Sequence, residues 1–144
     1  MIHFRVEGKA RGKERPKATT IHGHARMYTP KATRQYEEEV RQAFMGSNHG
    51  TVPVYEKDRS LRLTLLIACK VPKSYTKKMR QACLDGELQP TKKPDVDNIV
   101  KVICDALNGY AFTDDSQVTM VYAEKYYSEE DYVDVTISPI GADD

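Results

Sequence analysis

The clearest periodicity in the chain is an alternation. Leu61, Leu63, Leu65, Ile67, Cys69 and Val71 are apolar at every second position, which predicts a strand central to its sheet. Ile2, Phe4 and Val6 repeat the pattern and predict a first strand over Ile2–Glu7. Ala32, Tyr36, Val40, Ala43 and Phe44 recur at helical spacing behind Thr29 and Pro30, residues suited to an N-cap and a first turn. A helix is therefore predicted over 30–45, with Gly46 as its stop. A shorter helix is predicted over 74–84, with Met79, Ala82 and Cys83 inward and Gly86 closing it. Residues 118–127 and 132–137 read as two strands, and the acidic turn between them predicts a hairpin. The segment from Gly8 to Pro30 has no sustained period and reads as a long basic loop or irregular hairpin.

One further helix lies within residues 91–117, TKKPDVDNIVKVICDALNGYAFTDDSQ, and Asn108 with Gly109 should terminate it. At about 100° per residue, Asp97, Asn98, Lys101, Asp105 and Asn108 fall within roughly a quarter turn. Apolar residues fill most of the remainder, so the helix is largely buried and shows a narrow polar stripe. The order of elements predicts an α+β fold, a single domain with a mixed β-sheet and helices packed on it. A chain of 144 residues suits one core.

Composition changes this picture in three places. Cys69, Cys83 and Cys104 are odd in number, lie in apolar patterns and lack CxxC spacing, which argues against a disulfide or zinc framework and for a reducing compartment. The first residues carry no long apolar run, so neither a secretory signal nor a membrane span is predicted, and a cytoplasmic protein is expected. Net charge is near zero but uneven: residues 1–50 hold ten Lys or Arg against five acids, and residues 111–144 hold one lysine against nine acids. Such asymmetry suggests a side that faces a polyanion, although a solvated run also explains any one block. Arg11, Lys13, Arg15, Lys17 and Arg26 could hold phosphates, or the loop that carries them could simply be solvated.

Residues 91–117 carry the candidate chemistry. Asp95 and Asp97 stand at the helix start, where the macrodipole favours negative charge, and Asp114 with Asp115 precedes a strand that could return beside that start. Converging carboxylates repel unless a cation lies among them. Oxygen ligands without His or thiolate suit Mg²⁺ or Mn²⁺, which points to metal-assisted phosphodiester hydrolysis. Singly, each residue has a plainer reading: Asp95 or Asp97 as a helix cap, Asp105 and Asn108 as an exposed edge, Asp114 and Asp115 as an ordinary turn.

The run KPDVDNIVKVICDALNGYAFTDDSQV resembles the signature of the RusA-type Holliday junction resolvases, endodeoxyribonucleases of bacteria and their phages. The match is the pattern (K/R)-x-D-x-D-N-x-x-K-x-x-x-D-A-L followed by D-D-x-Q-V, and GKERPK is similar to the family's N-terminal half more loosely. The resemblance implies one RusA-like domain over 1–144. It assigns Asp95, Asp97 and Asp115 to the metal and catalytic positions, with Lys101 as the functionally important lysine. Asn98, Asp105 and Asp114 match further family positions, and Asp114 is an additional metal candidate. Lys92 and Lys93 stand where some members carry an arginine run, and with Arg11, Lys13, Arg15 and Lys17 they form the expected DNA contacts. The implied activity is Mg²⁺-dependent resolution of four-way junctions in recombination and repair, by a bacterial or phage-encoded homodimer whose dyad matches the substrate's. The rival reading is a non-catalytic DNA-binding protein with a structural metal.

Overall fold

In a computed structural model that describes residues 1–141, the alternating segments become strands whose apolar sides share one core with two helices. In chain order, β1 (Ile2–Glu7) is followed by an exposed two-stranded ribbon of β2 (Lys17–Ile21) and β3 (His24–Tyr28). Then come α1 (Lys31–Met45), β4 (Leu61–Lys70), α2 (Lys77–Leu84), α3 (Val96–Leu107), β5 (Val118–Ser128) and β6 (Tyr132–Pro139). The main sheet has the order β1-β6-β4-β5, with β6 antiparallel to both β1 and β4 and β5 parallel to β4. The fold is α+β with a mixed sheet, as the pattern predicts.

Leu61, Leu63, Leu65 and Ile67 of β4 are buried together with Val133, Val135 and Ile137 of β6. They form the core with Tyr36, Val40 and Phe44 of α1 and Ile99, Val102, Ile103, Ala106 and Leu107 of α3. Each large apolar side chain buried this way contributes about 1.5–3 kcal/mol. This core fixes the long axis of α3 against the sheet and so fixes the polar stripe it presents.

Three details differ from expectation. β5 and β6 do not form a hairpin, because β4 lies between them. Local alternation is the same either way, but direct pairing of β5 with β6 would leave β4, the most apolar strand, with an unpaired edge. The connection instead crosses the end of β4, where Asp131 Oδ1 accepts from the Lys70 N–H at 2.8 Å and the Ser128 carbonyl accepts from the Val71 N–H at 3.1 Å. At α1, Pro30 rather than Thr29 is the N-cap residue, and no side chain caps the helix. At α2, Thr76 caps by accepting from the Met79 N–H at 3.2 Å, so the helix starts later than predicted, and Met79 is exposed while Cys83 is buried. The basic segment does contain a hairpin, turned at His22 and Gly23 with φ of 50° and 77°, the backbone that a two-residue turn between twisted strands requires.

Candidate nuclease site

The N-terminus of α3 is built from both sides of the chain. Asp95 is the N-cap residue, with its carbonyl accepting from the Ile99 N–H at 3.1 Å, but its carboxylate makes no capping hydrogen bond. The cap reading of Asp95 therefore does not hold, and its charge is left for another partner. Asp97 lies exposed in the first turn, where the helix dipole stabilises it, and Lys101 is exposed one turn further along.

The two flanks of the polar stripe differ. On one, the basic N-terminal segment is pressed against the helix: a Cβ on Gly12 would lie 3.0 Å from Asn98 Cβ and 3.1 Å from Pro94 Cβ, a gap that only glycine fits without displacement. The Lys13 N–H donates to the Asn98 carbonyl at 3.1 Å, and the Lys13 ammonium meets Asp105 at 3.1 Å and Glu37 at 3.6 Å. Next door, the Glu14 N–H donates to Thr33 Oγ1 at 3.3 Å. Lys9, Arg11, Lys93, Asp95 and Asn98 then line an open cleft of about 460 Å³. On the other flank, Asp97 and Val100 border a shallow depression with Val121 and Ala123 of β5.

The Asp114–Asp115 pair divides its work. Asp114 Oδ2 accepts from the Ser116 N–H at 3.1 Å and caps a short 3-10 turn, Asp115–Gln117. Buried Gln117 ties that turn to the loop before β4: its Oε1 accepts from the Thr113 and Asp114 N–H groups at 2.9 and 3.0 Å. Its Nε2 donates to the carbonyls of Glu56 and Arg59 at 2.8 and 3.1 Å. Asp115 is half-buried beside Cys104, whose thiol is pushed up to about 12 by burial and then by the charges of Asp115 and Asp105.

Asp115 therefore stands beside the second half of α3. The reason is directional: α3 and β5 run antiparallel, so β5 begins near the end of the helix and reaches its start only later. What arrives there is Lys125, whose ammonium donates to the carbonyls of Lys92 and Pro94, the latter at 2.9 Å. Among the described residues, no three His, Cys, Asp or Glu side chains form a group able to hold a metal ion. Mg²⁺ commonly uses one or two carboxylates and completes its shell with water and substrate phosphate. Asp95 and Asp97 are hard oxygen donors with no capping role, one at each flank of the helix start, and each suits an ion that completes its shell in this way, whereas Asp115 stands by the second half of α3.

Of the expected DNA contacts, Arg11, Arg15, Lys17, Lys92 and Lys93 are exposed, whereas Lys13 is half-buried between two carboxylates. Gly12, Gln117 and Lys125 are positioning residues; the first two fall within GKERPK and D-D-x-Q-V but pattern reading gave them no role, and Lys125 lies outside both runs. Lys125 did leave a signal, as the one lysine of residues 111–144. Among the described residues no helix is long and apolar enough to cross a membrane.

Comparison with known proteins places these features in context. The family model described as "Endodeoxyribonuclease RusA" matches residues 7–138. The chain is also similar to the "Uncharacterized protein YqaN" of Bacillus subtilis (strain 168), at 33% identity over 141 residues that cover 98% of each chain.

Proposed function

Because the chain belongs to the RusA endodeoxyribonuclease family, we propose that it is a Mg²⁺-dependent, structure-selective nuclease that resolves four-way DNA junctions in recombination and repair. The observation that carries this reading is Asp95: an N-cap carboxylate without a capping bond, facing a cleft with Lys9, Arg11 and Lys93. A carboxylate spent on nothing structural, beside cations that suit phosphates, is an arrangement for chemistry on a phosphodiester.

Asp95 and Asp97 would hold the ion, with Asp115 and less directly Asp114 as further acidic groups. When bound, Mg²⁺ (or Mn²⁺) supplies charge against the phosphate and acidifies water. The chain's own residues do the rest. Arg11, Arg15, Lys17, Lys92 and Lys93 bind the backbone of the DNA and set its register. Lys101, exposed one turn from Asp97, offers a positive charge fixed by a buried helix to the developing charge of the transition state. Lys125 and Gly12 hold the two chain segments that bear these groups against one another.

Paired nicks at a junction call for two sites related by a dyad, hence a homodimer. The outer edge of β5 supports this, since Met120, Val121 and Tyr122 are 47%, 50% and 54% exposed on a strand whose far side has no neighbour in the sheet among the described residues. A second copy laid antiparallel along that edge would pair its backbone groups. Sedimentation equilibrium should give twice the chain mass, and a monomer at micromolar concentration would contradict the dimer. For the activity, pure protein is incubated with labelled four-way and linear duplex DNA, with Mg²⁺ or with chelator. Cutting of the junction alone, in Mg²⁺ alone, is the expected result. Tight junction binding without any cutting would favour the rival, a non-catalytic DNA-binding protein.

A further inference from the structure

On the far side of the Lys93–Pro94 segment from the α3 cleft lies a second cavity of about 280 Å³, which shares Lys9, Ala10, Lys93 and Pro94 with it. Its apolar lining comes from Pro72, Pro90 and Pro94, over the buried Ile67 and Ile99, and its aromatic wall from Tyr127. Two polar groups in it are held in place by backbone. Asp131 Oδ1 is anchored by the Lys70 N–H at 2.8 Å, which leaves Oδ2 as a fixed acceptor. The Lys125 ammonium is anchored by two carbonyls, which leaves one N–H as a fixed donor. The charges of Lys125, Asp131 and Lys9 all act on the thiol of Cys69 in the same wall, so these groups converge on one space. Lys9, Lys70, Lys92 and Lys93 complete a cationic rim.

An apolar slot with an aromatic wall, one donor and one acceptor, ringed by lysines, suits a flat heterocycle with a polar edge that hangs from a phosphate chain. We infer that this cavity receives one unstacked nucleobase of the DNA strand whose backbone lies in the neighbouring α3 cleft. The inference deepens the nuclease reading and rests on it for the identity of the strand. Branched DNA is the substrate for which this costs least, because bases at the crossover are the most weakly stacked. Stacking on Tyr127 offsets what remains, and that term tolerates any base. Discrimination comes from Asp131, which accepts from an exocyclic amino group, so adenine or cytosine should be taken in preference to thymine.

The test reads base position without reading cutting. A four-way junction carries 2-aminopurine, one substitution at a time, at positions around the branch point, and is bound by the full chain in chelator. Wild-type protein should raise fluorescence several-fold at one position and leave the others near their duplex level. Cys69→Leu, which fills the slot, should abolish the rise while junction affinity by gel shift stays within about threefold. Asp131→Asn keeps an oxygen for the Lys70 N–H and exchanges the free acceptor for a donor. It should lower the binding preference for adenine over thymine at that position by about fivefold or more. A bound junction with no responsive position, a rise that persists in Cys69→Leu, or an unchanged preference in Asp131→Asn each overturns the inference. A Cys69-dependent rise in a protein that never cuts upholds the pocket and sinks the nuclease reading instead.

Discussion

Asp114 and Asp115 are adjacent and chemically identical, yet the backbone gives them different tasks. Asp114 accepts from the Ser116 hydroxyl and, less strongly, from its N–H, and these bonds hold its carboxyl below its ordinary value. Its folded value is therefore lower than its unfolded one. The stability it adds is fully present above the ordinary range and is lost as pH falls through the lowered value. Asp114→Asn keeps a capping oxygen, so urea melts should show a weaker acid-side loss of stability. Asp115 makes no such cap and remains a candidate for the reaction. Lys101 is tested differently, since its stem could merely lie along apolar neighbours. Lys101→Met should bind junctions normally but cut on the order of a hundredfold more slowly in single turnover, with only partial rescue by Lys101→Arg. Retention of most of the rate by Lys101→Met would make the lysine packing. The placing of Asp95, Asp97 and Lys101 on one helix was legible in the sequence because their spacing is local. Gly12 and Lys125 were not, because each acts on chain far away: Gly12 on Pro94 and Asn98, Lys125 on Lys92 and Pro94.

At the scale of elements, periodicity found every strand of the main sheet and all three helices. Pairing order was not legible, because β5 and β6 alternate alike whether they meet each other or flank β4. The same limit hid the direction of α3 against β5, which sets Asp115 beside the second half of the helix. What sets that turn is Gln117, buried and bonded at both ends of its amide to chain near Thr113 and near Glu56. Gln117→Leu conserves bulk but strips partners from several backbone groups, and should cost about 2–4 kcal/mol in denaturant unfolding. A loss under about 0.5 kcal/mol, the scale of a surface substitution, would show that the turn holds without it.

Over the whole molecule, the uneven charge acquires a geometry. The start of the basic N-terminal third is pinned to the start of α3, so Lys9, Arg11 and Lys13 line one cleft with the uncapped Asp95, while Arg15 and Lys17 lie exposed beyond it. Not every cation there is free for DNA. Neutralising Arg11, Arg15 and Lys17 together should flatten the salt dependence of junction affinity by about two to three in the log–log slope for each protomer that engages the DNA. Lys13→Met should leave that slope nearly unchanged and lower stability by about 1 kcal/mol, because its charge is already matched by Asp105 and Glu37. An equal flattening by Lys13→Met alone would mean that its ion pairs open on DNA. The central claim is that the carboxylates at the start of α3 carry out the reaction, and one comparison reaches it most directly. Single-turnover cutting of a four-way junction in saturating Mg²⁺ is measured for wild type, Asp97→Asn and Asp105→Asn, at protein concentrations where gel shifts show the junction fully bound. Asp97→Asn should bind as tightly or more tightly and cut at least a hundredfold more slowly, while Asp105→Asn stays within about tenfold of wild type. An Asp97→Asn protein that cuts at the wild-type rate would contradict the account.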